Sequence, residues 1–187
     1  GLHGFMKTQS EFAVPDIQFL FRGTAPGAHL WFPGIRRQFD DAIGMRPVLL
    51  HPESRGTVRL SSADPSAKVR ISLNALDTEN DIKTLREGFR RARDVLLQGP
   101  LDRYRGRELD PGSEVDSDDE IDQWMRATAI TAHHPSGTCA MGIGENAVLD
   151  PDLRVQGVDG LRVVDAAAMP DLVSGNINAC VLMMAEK

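Results

Sequence analysis

The residues best suited to chemistry stand in one ten-residue run, His133-His134-Pro135-Ser136-Gly137-Thr138-Cys139-Ala140-Met141-Gly142. Pro135 and Gly137 rule out a long helix there, so the run reads as a loop with a fixed path. A histidine held just before such a turn can take or give a proton near neutral pH. A packed, hydrogen-bonded histidine would look the same at this level, and both readings stay open on the loop alone. Further on, Asp165 closes the run Leu161-Arg162-Val163-Val164 and precedes Ala166-Ala167-Ala168, residues too small to block a ligand in a sheet crevice. A carboxylate that caps the next turn fits as well. Ser174-Gly175-Asn176-Ile177-Asn178 opens a terminal helical run. Capping accounts for one of its asparagines but not readily for both, and a helix start also offers N–H groups to developing negative charge.

Several elements must position these groups. Asp16–Phe21 alternates as a strand, and Gly23–Gly44 reads as a long irregular connection, either a lid or binding loop or a disordered stretch. The apolar run from Arg46 to His51, the turn Pro52–Gly56 and the alternating Thr57–Ser61 predict an antiparallel pair. Val69–Leu73 is expected to join it in a sheet with one packed and one wet face. Thr78-Glu79-Asn80-Asp81 resembles a capping box and opens a helix with the apolar stripe Ile82, Leu85, Phe89, Ala92 and Leu96, ended by Gly99-Pro100. Arg86, Arg90, Arg91 and Arg93 are expected on its solvated face, with Glu87 and Arg91 paired. Ser117-Asp118-Asp119-Glu120 is an S-x-x-E box for a second helix, whose inner side carries Ile121, Trp124, Met125 and Thr128. The acids around it lack the spacing of a calcium loop and are assigned to capping. Val148–Val155 and Leu161–Asp165, parted by Gly157-Val158-Asp159-Gly160, read as strand, tight turn, strand.

A length of 187 residues suits one good-sized domain or one domain and part of another. The net charge of −6 argues against a nucleic-acid partner, which needs a basic face. No run is apolar and long enough to span a membrane, and no signal peptide opens the chain. Cys139 and Cys180 fit free thiols in a reducing compartment, so a cytoplasmic location is expected; neither has metal-ligand spacing, and no metal site is expected. The start at Gly1 and the stop at Lys187 inside a helical pattern read as a fragment.

Three ordered motifs carry a family resemblance. His134-Pro135-Ser136-Gly137-Thr138-Cys139-Ala140-Met141-Gly142 resembles the H-P-x-G-T-x-x-M-G signature of the glucose–methanol–choline (GMC) flavin oxidoreductases. Leu161–Ala166 with Met169-Pro170 is similar to that family's L-R-V-x-D-A-x-x-M-P. Ser174–Ala179 followed by Met184-Ala185-Glu186-Lys187 is similar to its S-G-N-x-N-A and I-A-E-K segments. More loosely, His51-Pro52-Glu53-Ser54-Arg55-Gly56 with Val58 and Leu60 resembles P-x-S-R-G-x-V-x-L of the family's substrate domain.

The resemblance implies an α+β fold, an antiparallel sheet flanked by helices, plus a carboxyl-terminal segment that completes an FAD-binding domain. It divides the chain into a partial substrate-binding domain over 1–131 and a catalytic and FAD-returning segment over 132–187. No G-x-G-x-x-G follows a strand here, so the FAD/Rossmann half belongs elsewhere and becomes a partner of this segment. It further implies FAD as cofactor and a primary alcohol, choline-like or other, as the small-molecule substrate, oxidised to an aldehyde by hydride transfer to the flavin. His134 and Asn178, forty-four residues apart, match the family's catalytic His/Asn pair, with His133 the weaker candidate. Asp165 and Ala166 would line the ribityl and pyrophosphate portion, and the backbone at Asn176 and Ile177 would approach the isoalloxazine ring. Cys139 would be a packing residue. Homo-oligomerisation is left open. The competing readings are a binding or regulatory module that keeps the fold without catalysis, and a hydrolase using His134 with Ser136 or Ser174, which the lack of a G-x-S-x-G elbow disfavours.

Overall fold

The computed structural model describes residues 2–25, 28–30, 32–35 and 40–186. It forms two compact units, one made of Gly1–Leu49 and Thr78–Thr128, the other of Leu50–Asp77 and Ala129–Lys187. Parts of the expected connection from Gly23 to Gly44 fall outside the described residues.

The first unit is a helix-covered antiparallel sheet. Strands β1 (Leu2–Met6), β2 (Ile17–Arg22) and β3 (Gly44–Leu49) lie in the order β1-β2-β3. Pro47, which has no N–H to give, sits on the edge strand β3 opposite Phe19. Helix α1 (Glu79–Leu96) packs on β2 and β3, and buried Ile17, Phe19 and Ala92 form the core with Met6, Met45, Leu49 and Leu85 around it. The expected stripe is the buried face: Ile82, Phe89 and Ala92 are covered. Thr78 is the N-cap, its side chain accepting the Asp81 N–H at 3.3 Å, as the box with Asp in place of Glu predicts. Helix α2 (Asp118–Thr128) begins at the second box, where Ser117 N–H donates to Glu120 Oε2 at 3.1 Å and Glu120 N–H donates to Ser117 Oγ at 3.3 Å. Ile121 and Met125 are buried, and the Trp124 ring lies 5.2 Å from that of Phe89 on α1.

Two expectations are corrected in this unit. The Arg46–His51 run does not pair with Thr57–Ser61. Its strand β3 pairs with β2, from Ile17↔Leu49 to Arg22↔Gly44, where its apolar residues reach the α1 core. The α1 arginines are also not one solvated face. Arg91 does pair with Glu87 at 2.7 Å, but the Arg93 side chain is only 16% exposed and binds Glu108 at 2.9 Å and the Val115 carbonyl at 2.9 Å, with the Phe89 ring beneath it. Arg86 is 14% exposed; it pairs with Asp118, and its Nε sits 3.0 Å from Asp122 Oδ1 as an ion pair outside hydrogen-bond angles. Arg90 takes Asp118 from the other side at 2.6 Å. The acidic cluster therefore divides, Glu120 capping α2 and Asp118 and Asp122 serving these arginines.

In the second unit, β4 (Thr57–Arg59) and β5 (Arg70–Ser72) pair antiparallel as a ribbon exposed along its whole length, so the packed-and-wet sheet is not found here. A glycine is required at position 56: a Cβ there would stand 2.3 Å from the Ser72 carbonyl oxygen. That close approach sends the chain leaving the Pro52–Gly56 turn towards β5. The two strands expected at 148–155 and 161–165 are reduced to isolated bridges, Leu149↔Val155 and Arg154↔Arg162. Leu153, Gly157 and Gly160 all have positive φ, which bends the chain too often for a ladder. Helix α3 (Asn178–Glu186) closes the unit, packing Met184 against Met169 and Ile177. No helix among the described residues is long and apolar enough to cross a membrane.

Candidate active site

Three segments of the second unit hang from one apolar cluster. Buried Met169, Ile177 and Met184 are packed by Met141, Leu153, Ala166, Leu172, Cys180 and Val181. Each of the three sequence motifs contributes a member, so burial of these side chains is what gathers the motifs.

The histidine loop is fixed by its backbone. The N–H groups of Gly137, Cys139 and Met141 donate to the carbonyls of Ala166, Ala167 and Ala168 at 3.3, 2.9 and 2.9 Å. The loop thus runs extended along the Ala166–Ala168 turn. Gly137 takes φ +82°, a conformation that L side chains rarely adopt, so the glycine of the motif is a backbone requirement. His134, three residues upstream, is half-buried, and its Nε2 lies 3.3 Å from Asn176 Oδ1. His133 is exposed, has φ +64° and donates its N–H to Thr131 Oγ1 at 3.1 Å.

Asp165 sits at the head of the short 3-10 turn Ala166–Ala168 and accepts the Ala167 N–H at 2.7 Å. Its carboxylate is exposed, Ala166 is half-buried and Ala168 is buried. At the third motif, Ile177 is buried while Asn176 and Asn178 are exposed on either side of it. Asn178 is the first residue of α3, and the Val181 N–H reaches the Ile177 carbonyl at 3.0 Å. The structure therefore brings His134 to Asn176, and places Asn178 at the start of the helix two residues on.

Two features escaped the sequence reading. Asn176 was expected only for its backbone, yet its carboxamide meets His134. His51 Nε2 lies 2.9 Å from Ser174 Oγ, joining the loosest motif to the last one. The pair is separated by 123 residues, so no local pattern could announce it. Ser174, one of the serines a hydrolase would need, thus has His51 as its partner. Cys139 and Cys180 are half-buried free thiols. Among the described residues, no group of three or more His, Cys, Asp or Glu could hold a metal ion.

The chain is 42% identical over 184 residues to the oxygen-dependent choline dehydrogenase of Klebsiella pneumoniae subsp. pneumoniae, which covers 98% of this chain and 32% of that enzyme. This sequence therefore spans about a third of the length of the curated relatives it matches. Among solved structures, pyridoxine 4-oxidase from Mesorbium loti superposes with a TM-score of 0.80 at 32% identity, over 98% of this chain and 36% of that one. A formate oxidase variant from Aspergillus oryzae RIB40, solved for the effect of the mutation on FAD modification, gives 0.80 at 30% identity over 95% and 31%. The family model for the carboxyl-terminal region of GMC oxidoreductases matches residues 52–185, and with the three motifs gathered on one core the chain belongs to the GMC oxidoreductase family.

Proposed function

We propose that this chain supplies the proton-handling groups and part of the flavin wall of an enzyme that oxidises a primary alcohol to its aldehyde. The observation that carries this is the contact between His134 Nε2 and the Asn176 carboxamide, made beside the first turn of α3. An imidazole next to a carboxamide and a helix start suits an alcohol that loses its hydroxyl proton: a base to receive it, and donors for the oxygen left behind. His134 takes that proton at Nε2 as the substrate oxygen enters between the ring and the helix head. Asn178 holds the same oxygen from α3 and orients the carbon.

The residues present fit FAD. Asp165, Asn176 and Asn178 are exposed polar side chains set beside small residues, while their neighbours Ala168 and Ile177 are buried, so this wall offers hydrogen bonds without bulk. Asp165 and Ala166 would face the ribityl and pyrophosphate part, and the backbone at Asn176 and Ile177 the ring system. When bound, FAD supplies the acceptor for the hydride that leaves the alcohol carbon. The exposed apolar side chains Leu161, Val164, Leu182 and Met183 support a further polypeptide portion covering this unit. A glycine-fingerprint half, absent from this sequence, would hold the ADP part there.

The substrate class rests on the relatives: choline and pyridoxine, named in two of them, are both primary alcohols. The test is made on the full-length protein carrying this sequence. A flavin absorption spectrum followed by a panel of primary alcohols, with oxygen or a dye as acceptor, should show turnover that His134→Ala removes while flavin is retained. A protein that binds flavin but oxidises none of them would favour a non-catalytic module.

A further inference from the structure

We infer that His51 is a positioning residue that fixes the Asn176 turn through Ser174; the inference rests on the proposed role of His134. Ser174 starts the turn, tightened by the Gly175 N–H donating to the Val173 carbonyl at 2.7 Å. The far end of the turn is held by buried Ile177. Between them, Gly175 has no neighbouring atom within 4 Å of where a Cβ would be, and Asn176 is exposed. Packing therefore does little to hold this stretch, and the Asn176 carboxamide would swing about Ile177 unless its other end were fixed. The bond from Ser174 Oγ to His51 Nε2, at 2.9 Å, supplies that second point.

His51 stands on a rigid platform. It follows buried Leu50 and precedes Pro52, whose carbonyl accepts from Arg55 Nη1 at 2.6 Å. Ser54 Oγ accepts the Asp77 N–H at 2.9 Å, and Asn74 Nδ2 donates to the Arg55 carbonyl at 3.1 Å. The His51–Pro52–Glu53–Ser54–Arg55 segment is thereby sewn to the chain returning from β5, and the ring is presented from a stiff loop to a loose one. A hydroxyl can donate or accept, so Ser174 can meet either tautomer of the ring. The linkage runs from His51 through Ser174 and the short turn to Asn176, and from there to His134.

The test uses the full-length flavoprotein. His51→Ala and Ser174→Ala should each lower kcat per bound flavin by up to about 10-fold, no more than loss of the Asn176 carboxamide through which they act. The double variant should be no worse than the poorer single one, because both remove one bond. His51→Gln, which can offer an amide nitrogen near the Nε2 position, and Ser174→Thr, which keeps the hydroxyl, should each recover most of the rate. A purely structural role would lower the melting temperature and flavin content yet leave turnover per bound flavin unchanged, and that result would overturn the inference. A readout independent of turnover is the ring resonances of His134 in histidine-labelled protein, which should move in Ser174→Ala. If His134→Ala keeps full turnover, the proposed function fails, and the resonance shift alone then decides whether His51 and Ser174 set the His134 environment. Unmoved resonances reject it in either case.

Discussion

His134 Nε2 and Asn176 Oδ1 stand 3.3 Å apart across forty-two residues of sequence. With Oδ1 accepting, Nε2 carries the proton and the ring is held in the tautomer that leaves Nδ1 as acceptor; with the carboxamide turned over, its Nδ2 donates and Nε2 keeps its lone pair. Only the second arrangement leaves Nε2 able to take a proton. The contact lies at the long end of hydrogen-bond distances, so an entering hydroxyl could displace the carboxamide at low cost. Under the proposed function, Asn176 would be a placeholder for the His134 ring until substrate arrives.

Replacing His134 with Ala in the full-length protein should lower kcat by about 10²–10⁴-fold, the usual range for general-base assistance. Flavin content should stay near wild type, since none of the backbone bonds that fix the loop uses the imidazole. Turnover measured against bound flavin checks this, and a rate near wild type would remove His134 from the mechanism.

The two asparagines should separate. Asn178→Ala, which takes away the group proposed to hold the substrate oxygen, should cost about 10²-fold in kcat. Asn176→Ala, which frees the ring but leaves the oxygen its other contacts, should cost about 10-fold, the equivalent of one hydrogen bond. The reverse order, in steady-state kinetics on both variants, would assign the oxygen to Asn176.

Why these residues could be picked out from sequence, and their contacts could not, follows from where the determining forces act. The capping boxes at Thr78 and Ser117 are local, set by side chains three residues from the groups they satisfy, and both are found as read. The glycine and proline pattern after His134 is local too. Strand pairing is not local: Arg46–Leu49 could have paired forwards or backwards, and burial on α1 chose β2. Strand β1 went unread because its alternation is weak and it is held by pairing with β2. The arginines of α1 read as solvated because their partners, Glu108, Asp116 and Asp118, come from segments whose placement the helix periodicity does not encode.

Those arginines give a stability contrast within one helix. Arg93 combines ion pairs, two carbonyls and the Phe89 ring in a largely covered position, so Arg93→Ala should destabilise by about 1.5–3 kcal/mol, the scale for hydrogen bonds to charged groups. Arg91, itself exposed, has one half-buried partner four residues back, and Arg91→Ala should cost about 0.3–0.5 kcal/mol. Equilibrium denaturant unfolding of the two variants measures both, and equal losses would put Arg93 back on a solvated face.

Glu120 links the α2 start to pH. Hydrogen bonds from the Ser117 hydroxyl, then from the Ser117 and Asp116 N–H groups, hold its carboxyl below the ordinary value of 4.5. The folded form therefore favours the charged carboxylate more than the unfolded chain does. That contribution is fully present above the unfolded value and fades as pH falls through the lowered folded one. Ser117→Ala deletes the largest of the three causes and leaves the two backbone donors, so it should lower stability at neutral pH and flatten, without abolishing, the fall on acidification. Thermal unfolding of both proteins from neutral pH to about pH 3 should show the two curves converging at the acid end. Curves that stay parallel throughout would mean that the Ser117 hydroxyl does not stabilise the ionised Glu120.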